Sequence, residues 1–221
     1  PHNKKHNKTK NMKRFLSSLL VLCMAMTFLP ASAAAASVSP FGDVQSTDWY
    51  YDEVQYVYEN GLMSGTSATT FSPDATTTRG MIVTILHRLE GTPAVSTSGT
   101  FADVAAGQYY TDAVEWASAN GIVGGYGNGR FGPNDPITRE QMAAILYRYA
   151  SFKGYDVTAK ADLAGFTDAA QISAYAKDAM SWANKEGLIG GVSATTLQPQ
   201  GSATRAQVAT ILMRFCENVA K

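Results

Sequence analysis

Three arginines follow a threonine at equivalent positions of the chain, and each has the setting of an anion-binding group. The pairs are Thr78-Arg79, Thr138-Arg139 and Thr204-Arg205. Thr138 with Gln141, and likewise Thr204 with Gln207, has capping-box spacing, which predicts that each threonine caps a helix N-terminus. Each arginine then occupies the first helical position, where the dipole and free N–H groups disfavour a cation. A guanidinium beside free N–H groups suits a carboxylate or phosphate. Pairing with a nearby aspartate, purely for structure, is the open alternative.

On the binding interpretation, Arg139→Ala weakens binding of the anion with little change in melting temperature. Aromatic residues recur twelve positions before an aligned glycine, as Trp49, Tyr109 and Tyr175. They either belong to the core or pack against a sugar ring.

A second set of arginines recurs near the ends of the helices that begin with the Thr-Arg pairs. Positive charge suits the helix dipole there, so this set is interpreted as structural. These are Arg88, Arg148 and Arg214.

Several kinds of catalytic or metal site lack the residues that they need. His87 is the only histidine after residue 36, which excludes Ser-His-Asp triads and histidine-based metal sites. Cys216 has no histidine nearby and is predicted to be a small buried apolar residue. The glycine-rich run 124–129 follows a predicted helix rather than a strand and is interpreted as a turn. The pair Asp48 and Asp52 is not reproduced in the third repeat, so glycosidase chemistry is unsupported. We expect no enzyme activity, no metal and no cofactor.

The N-terminal region has the order of a secretory signal peptide. A basic start at 12–14 precedes an apolar run at 15–29 and two A-x-A cleavage patterns within 31–36. The apolar run is shorter than the roughly 20 residues that a membrane-spanning helix needs, so no stable membrane insertion is expected. Residues 1–11 are interpreted as an upstream extension. We therefore assign residues 1–36 to segments that are removed.

The charges of the chain are unevenly distributed. It has 18 basic and 18 acidic residues, but six of the basic residues and none of the acidic ones precede Ser37. The remainder carries 12 basic and 18 acidic residues, a net charge of −6. An acidic body without basic runs argues against binding to nucleic acid or to an anionic membrane surface.

Three copies of one unit follow the signal segment, and each reads as helix, loop, helix. The shared positions are Phe41-x-Asp43, Phe101-x-Asp103 and Phe166-x-Asp168; Gly61, Gly121 and Gly187; Gly65, Gly125 and Gly191; and Phe71-x-Pro73, Phe131-x-Pro133 and Leu197-x-Pro199. Repeat 1 spans 41–90, repeat 2 spans 101–150 and repeat 3 spans 166–219, with one extra residue in repeat 3. Self-similarity at this period is typical of repeat architectures.

The second helix of each repeat has apolar residues at i, i+3, i+4 and i+7, which form one helical face. They are Ile82, Ile85, Leu86 and Leu89; Met142, Ile145, Leu146 and Tyr149; and Val208, Ile211, Leu212 and Phe215. One helical hairpin cannot bury such a stripe alone, but three stripes can bury one another in a central bundle. The sequence therefore predicts an all-α fold. Trp116 and Trp182 recur one turn from the first helix's stripe and are predicted to pack.

The Phe-x-Asp opening, the Gly-Leu/Ile-x-x-Gly turn, the Phe-x-Pro loop and the Thr-Arg helix start resemble S-layer homology (SLH) domains. The resemblance covers about 41–219. It implies a pseudo-threefold bundle of the second helices, with grooves between neighbouring repeats. It also implies noncovalent binding to secondary cell-wall polysaccharide on peptidoglycan, often capped by pyruvylated N-acetylmannosamine.

The resemblance also implies roles for individual residues. Arg79, Arg139 and Arg205 are expected to meet the pyruvyl carboxylate. Asp43, Asp103 and Asp168 are expected to help form the grooves and to reach sugar hydroxyls, and Trp49, Tyr109 and Tyr175 match the aromatic position. The motif's usual glutamate is replaced by Met81, Gln141 and Gln207, Gly80 follows the first arginine and Ala169 follows the third aspartate, so repeat 2 is the most typical.

These features predict a non-catalytic module that anchors an exported protein in the cell wall or S-layer. Two alternatives stay open. The chain is either the N-terminal anchor of a longer exported protein or enzyme, or a surface scaffold that self-associates.

Overall fold

The structure, a computed structural model, describes residues 39–221. The predicted signal peptide and upstream extension lie outside these residues. Within 39–221 the regular elements are six α-helices and two short 3-10 helices, without a strand, which confirms the all-α class for this part of the chain. The α-helices are α1 (Tyr51–Glu59), α2 (Arg79–Leu89), α3 (Thr111–Ala119), α4 (Arg139–Phe152), α5 (Lys177–Lys185) and α6 (Arg205–Asn218). The 3-10 helices, Ala169–Gln171 and Ala174–Ala176, precede α5.

The second helix of each repeat begins with the predicted threonine cap. Thr138 and Gln141 form a reciprocal capping box at the start of α4, and Thr204 and Gln207 form another at α6. Thr78 accepts the backbone N–H of Met81 at 3.2 Å, which leaves only the simple cap at α2. All three arginines therefore occupy the first helical position, as predicted.

The apolar stripes of the second helices are buried, with one exception. Leu89 is 40% exposed, whereas its counterparts Tyr149 and Phe215 are 4% and 1% exposed. The prediction for Leu89 is wrong because α2 has 11 residues and ends at Leu89, whereas α4 and α6 have 14 and continue past this point.

Three further predicted packing positions have mixed outcomes. Trp116 and Trp182 are buried at 4% and 0% exposure, which confirms that they pack. The sequence predicts a buried Cys216, but the residue is half-buried and packs at the edge of the core.

Each first helix packs against a second helix of another repeat. Helix α3 contacts α2, α5 contacts α4, and α1 contacts α6. The last of these contacts joins the first repeat to the third. Each repeat therefore covers part of a neighbour's apolar surface.

Three buried residues, one from each repeat, form a cycle of backbone hydrogen bonds. Ile137 N–H donates to Thr77 O at 2.8 Å, Ala203 N–H to Ile137 O at 2.9 Å, and Thr77 N–H to Ala203 O at 3.2 Å. Each of them directly precedes a capping threonine, and all are fully buried. The cycle fixes the starts of α2, α4 and α6 relative to one another.

Replacing Thr77 by valine should stabilise the protein. Its Oγ1 is buried without a hydrogen-bond partner in 39–221, and the equivalent residues, Ile137 and Ala203, are apolar. An unpaired buried hydroxyl costs about 1–3 kcal/mol, so T77V should raise the free energy of unfolding by about 1 kcal/mol in urea denaturation. Thr84 is the control, because its Oγ1 donates to Gly80 O at 2.7 Å and T84V loses that bond. A less stable T77V would contradict the prediction.

Candidate functional site

The side chain of each helix-start arginine crosses to the backbone of another repeat. The Nε groups of Arg79, Arg139 and Arg205 donate to the carbonyls of Phe131, Leu197 and Phe71 at 2.9, 2.8 and 2.7 Å. Their Nη2 groups donate to the carbonyls of Gly124, Gly190 and Ser64 at 3.4, 2.5 and 2.6 Å. All three side chains are buried, which lowers the pKa of each guanidinium. In each case Nη1 is the guanidinium nitrogen without a hydrogen bond to residues 39–221.

The expectation that free helix N–H groups accompany these arginines is wrong. At α2, Arg79 N–H donates to Asp135 O at 3.0 Å and Gly80 N–H to Pro133 O at 2.9 Å, while the third amide is bound by the threonine cap. The first two amides of α4 donate to the carbonyls of Gly201 and Pro199, in that order. The first two amides of α6 donate to the carbonyls of Ala75 and Pro73. Because the Pro-containing loop of a neighbouring repeat occupies these donors, an anion here would have to be bound by side chains.

The aspartates of the Phe-x-Asp motif bind backbone rather than a helix-start arginine, and Asp103 in addition lies 3.6 Å from Nε of Arg130. Both oxygens of Asp43 accept amide N–H groups, from Phe71 and Ser72 at 2.8 Å each. Asp103 accepts those of Phe131 and Gly132, and Asp168 those of Leu197 and Gln198. The Leu197 amide is the main cause of the lowered pKa of Asp168. Within 39–221 none of the three forms an ion pair with a helix-start arginine.

One residue connects each aspartate to an arginine. The N–H of Phe71 is bound by Asp43 and its carbonyl by Arg205. Removing the aspartate should therefore move the carbonyl that holds the arginine. Direct contact of the aspartates with sugar hydroxyls stays a prediction.

Three cavities surround the arginines. The Arg79 cavity, of about 470 Å³, is lined by Arg79, Gly124, Tyr126, Gln141, Arg148 and Tyr175 among others. The Arg139 cavity, of about 370 Å³, includes Arg139, Gly190, Val192, Gln207, Arg214 and Trp49. The Arg205 cavity, of about 200 Å³, includes Arg205, Ser64, Thr66, Met81, Arg88 and Tyr109. Each of these cavities is lined by residues of all three repeats.

The predicted arginines and aromatic residues come together in these cavities, whereas the aspartates are not among the lining residues. The rings are exposed: Trp49 at 63%, Tyr109 at 56% and Tyr175 at 51%. Rings that are this exposed do not belong to the core and are available to cover the face of a ligand.

Arg88, Arg148 and Arg214, for which the sequence predicts a structural role, line the same cavities. Each cavity therefore contains two guanidinium groups from different repeats. Arg88 and Arg148 make no hydrogen bond or ion pair with residues 39–221, and Arg214 donates to Gly187 O at 3.3 Å. Their recurrence in register was the available signal, but the partner arginine lies on another helix and cannot be found from spacing.

The groups that line the cavities are hydrogen-bond donors and aromatic rings. Two guanidinium groups and an exposed ring, with an amide in two of the cavities, suit an anionic ligand that has an apolar face. Among residues 39–221, no group of three or more His, Cys, Asp or Glu side chains is placed to hold a metal ion. No helix of this part of the chain is long and apolar enough to cross a membrane.

The helical hairpins, their capped second helices and the arginines that cross between repeats define a protein of the tandem helical-repeat class. A family model for the S-layer homology domain matches residues 40–80, 100–143 and 165–209. The chain belongs to the S-layer homology domain family. Its membership points to the cell surface or S-layer.

Relatives of two kinds are similar to the chain. It is 34% identical to an endoglucanase of Bacillus sp. (strain KSM-635) over 96% of its length and 23% of that protein. It is 34% identical to a surface-layer 125 kDa protein of Lysinibacillus sphaericus, over 62% of the chain and 12% of the relative. An S-layer protein of Bacillus thuringiensis subsp. finitimus is 26% identical, over 94% and 25%. The chain thus spans a quarter or less of the length of these relatives.

Proposed function

We propose that this chain is a non-catalytic module that binds secondary cell-wall polysaccharide and so anchors a protein at the bacterial surface. The observation that carries the proposal is the repeated composition of the cavities. Each places a buried arginine, a second arginine and an exposed aromatic ring from different repeats around one space. An acidic sugar presents matching groups, a carboxylate and a flat apolar face.

We infer further that the repeats are arranged about an approximate threefold axis, with the cavities as grooves between them. The cyclic contacts of α2 with α3, α4 with α5 and α6 with α1 support this arrangement. The cycle of hydrogen bonds through Thr77, Ile137 and Ala203 supports it independently.

The charge distribution favours an anionic ligand in spite of the acidic body. The region after residue 36 has a net charge of −6, so it repels anions at long range. Paired arginines in a partly desolvated cavity act at short range, where a guanidinium binds a carboxylate in a planar, directional manner. A glycan with a ketal-linked pyruvyl carboxylate fits this requirement.

The relatives support anchoring rather than a reaction. An endoglucanase and surface-layer proteins share this module, although it makes up only 23% and 12% of two of them. A segment common to an enzyme and to S-layer proteins is better explained by a shared location than by a shared reaction. The endoglucanase also favours a second candidate, in which the module anchors a longer exported enzyme.

The test is a calorimetric titration with a pyruvylated cell-wall disaccharide and with its pyruvate-free counterpart. We expect the protein to bind the first and to bind the second roughly tenfold more weakly or not at all, because one charge-assisted contact is lost. Arg148→Ala is the matched variant, since it removes a cation without breaking a hydrogen bond within 39–221. Equal affinity for both sugars would contradict the assigned role of the arginines, and no binding by a folded protein would contradict the proposed function.

A further inference from the structure

We propose that the Arg79 cavity is the principal glycan site and binds an anionic disaccharide between two tyrosines that are held in place before the ligand arrives. This inference rests on the proposed function and adds to it a ranking of the cavities. The repeats are alike in sequence, but two residues of repeat 2, Tyr126 and Glu140, differ in chemical type from their counterparts in the other repeats.

The first tyrosine, Tyr126, has no aromatic counterpart. The equivalent residues of repeats 1 and 3 are Thr66 and Val192, which line the other two cavities. The guanidinium carbon of Arg79 lies 4.8 Å from the centre of the Tyr126 ring. Tyr126 OH donates to Asp135 Oδ2 at 2.8 Å. The ring is therefore held by Arg79 over its face and by Asp135 at its hydroxyl, while 46% of the residue stays exposed.

The second tyrosine, Tyr175, is held by a buried carboxylate. Its hydroxyl donates to Glu140 Oε1 at 3.2 Å, and Glu140 also accepts Ser173 N–H at 2.9 Å and Ser173 Oγ–H at 2.7 Å. Glu140 is only 4% exposed, so these bonds position the segment that carries the ring. Burial and the nearby Glu140 charge raise the pKa of Tyr175 to about 12, which keeps its hydroxyl a donor.

The other two aromatic residues lack this support. The residues equivalent to Glu140 are Gly80 in repeat 1 and Ala206 in repeat 3. Neither can accept a hydrogen bond through its side chain, so Tyr109 and Trp49 have no equivalent carboxylate and instead make an edge-to-face contact with Tyr110 and Tyr50. Rings that are already ordered avoid part of the entropy cost of binding. Two such rings should raise the affinity of the Arg79 cavity for its ligand roughly tenfold.

The volumes of the cavities also favour the Arg79 cavity as the principal site. Small-molecule sites usually measure about 300–1,000 Å³. The Arg79 cavity, at about 470 Å³, is the largest of the three, whereas the Arg205 cavity, at about 200 Å³, falls below that range. The latter also has Met81 where the other two have the amides of Gln141 and Gln207. The exposed rings of Tyr126 and Tyr175 offer one stacking surface for each sugar unit.

The experiment is an NMR titration of the ¹⁵N-labelled chain with the pyruvylated disaccharide, followed at one backbone amide in each cavity. The reporters are Gly124 for the Arg79 cavity, Gly190 for the Arg139 cavity and Ser64 for the Arg205 cavity. We expect Gly124 to saturate at a roughly tenfold lower sugar concentration than the other two. Saturation of Gly190 or Ser64 first, or of all three together, would overturn the ranking and leave the proposed function standing. No shift at any reporter would overturn both.

Variants taken from the protein's own repeats sharpen the test. Tyr126→Thr and Glu140→Ala introduce residues that repeats 1 and 3 carry, and each should weaken binding at Gly124 roughly threefold without affecting Gly190. Val192→Tyr places a ring in the Arg139 cavity and should strengthen binding at Gly190, so the proposal does not depend on a loss that poor folding would also cause. Trp49→Ala is the matched control and should affect Gly190 alone. A uniform change at all reporters in Y126T, or no gain in V192Y, would overturn the inference.

Discussion

Replacing Arg139 by alanine should both destabilise the protein and weaken glycan binding. The side chain is 5% exposed and donates to Leu197 O at 2.8 Å and to Gly190 O at 2.5 Å, both in repeat 3. A hydrogen bond from a charged group contributes about 1.5–3 kcal/mol, so R139A should lower the free energy of unfolding by about 3 kcal/mol. For a domain of this size that corresponds to a fall in melting temperature of about 6–12 °C, measurable by calorimetry.

Two control variants separate the structural role of Arg139 from a role in binding. Arg139→Lys retains the charge but not the planar fork that reaches two carbonyls, so it should recover less than half of the lost stability. Arg148→Ala removes a cavity arginine that has no hydrogen bond to residues 39–221, and should change stability by less than about 0.5 kcal/mol. If R139A lost glycan binding at an unchanged melting temperature, Arg139 would be a ligand-binding group alone, as the sequence-based interpretation predicts.

This difference between the sequence and the structure has a physical reason. The sequence predicts local features well: the threonine caps depend on residues three positions apart, and the apolar stripes on residues within two helical turns. Whether a helix N–H is free depends on the rest of the fold. The first amide of α4 is occupied by Gly201 O, which is 62 residues away in the sequence.

The same limit applies to the composition of the cavities. Arg79 and Arg148 lie on different helices of different repeats, and Tyr175 comes from the third repeat. No periodicity within one helix places these three residues together. The sequence did identify Arg79 and Tyr175, because an aromatic residue or a misplaced charge that recurs in register needs an explanation. It missed Arg148, because a cation near a helix C-terminus is favourable and needs none.

The second large effect is expected from Gly125→Ala, in the turn between the two helices of repeat 2. A Cβ added here would lie 2.5 Å from Arg130 O and 2.7 Å from Cε1 of Phe101. Phe101 opens the repeat and packs on Phe131 at 5.5 Å between ring centres, so it cannot move away without disturbing the core. Gly65 and Gly191 have the corresponding contacts with Phe41 and Phe166, which explains why this glycine recurs in each repeat.

Overpacking of a core costs about 1–3 kcal/mol, and the clash with a backbone carbonyl places G125A at the upper end of that range. Urea unfolding should therefore show a loss of about 3 kcal/mol. Gly124→Ala is the matched control, because a Cβ at the preceding position meets no atom within 4 Å and the backbone there does not need a positive φ. Equal stability of G125A and G124A would show that the phenylalanine and the loop can separate at little cost. The Phe-x-Asp opening would then not hold the loop that carries the Arg79 cavity.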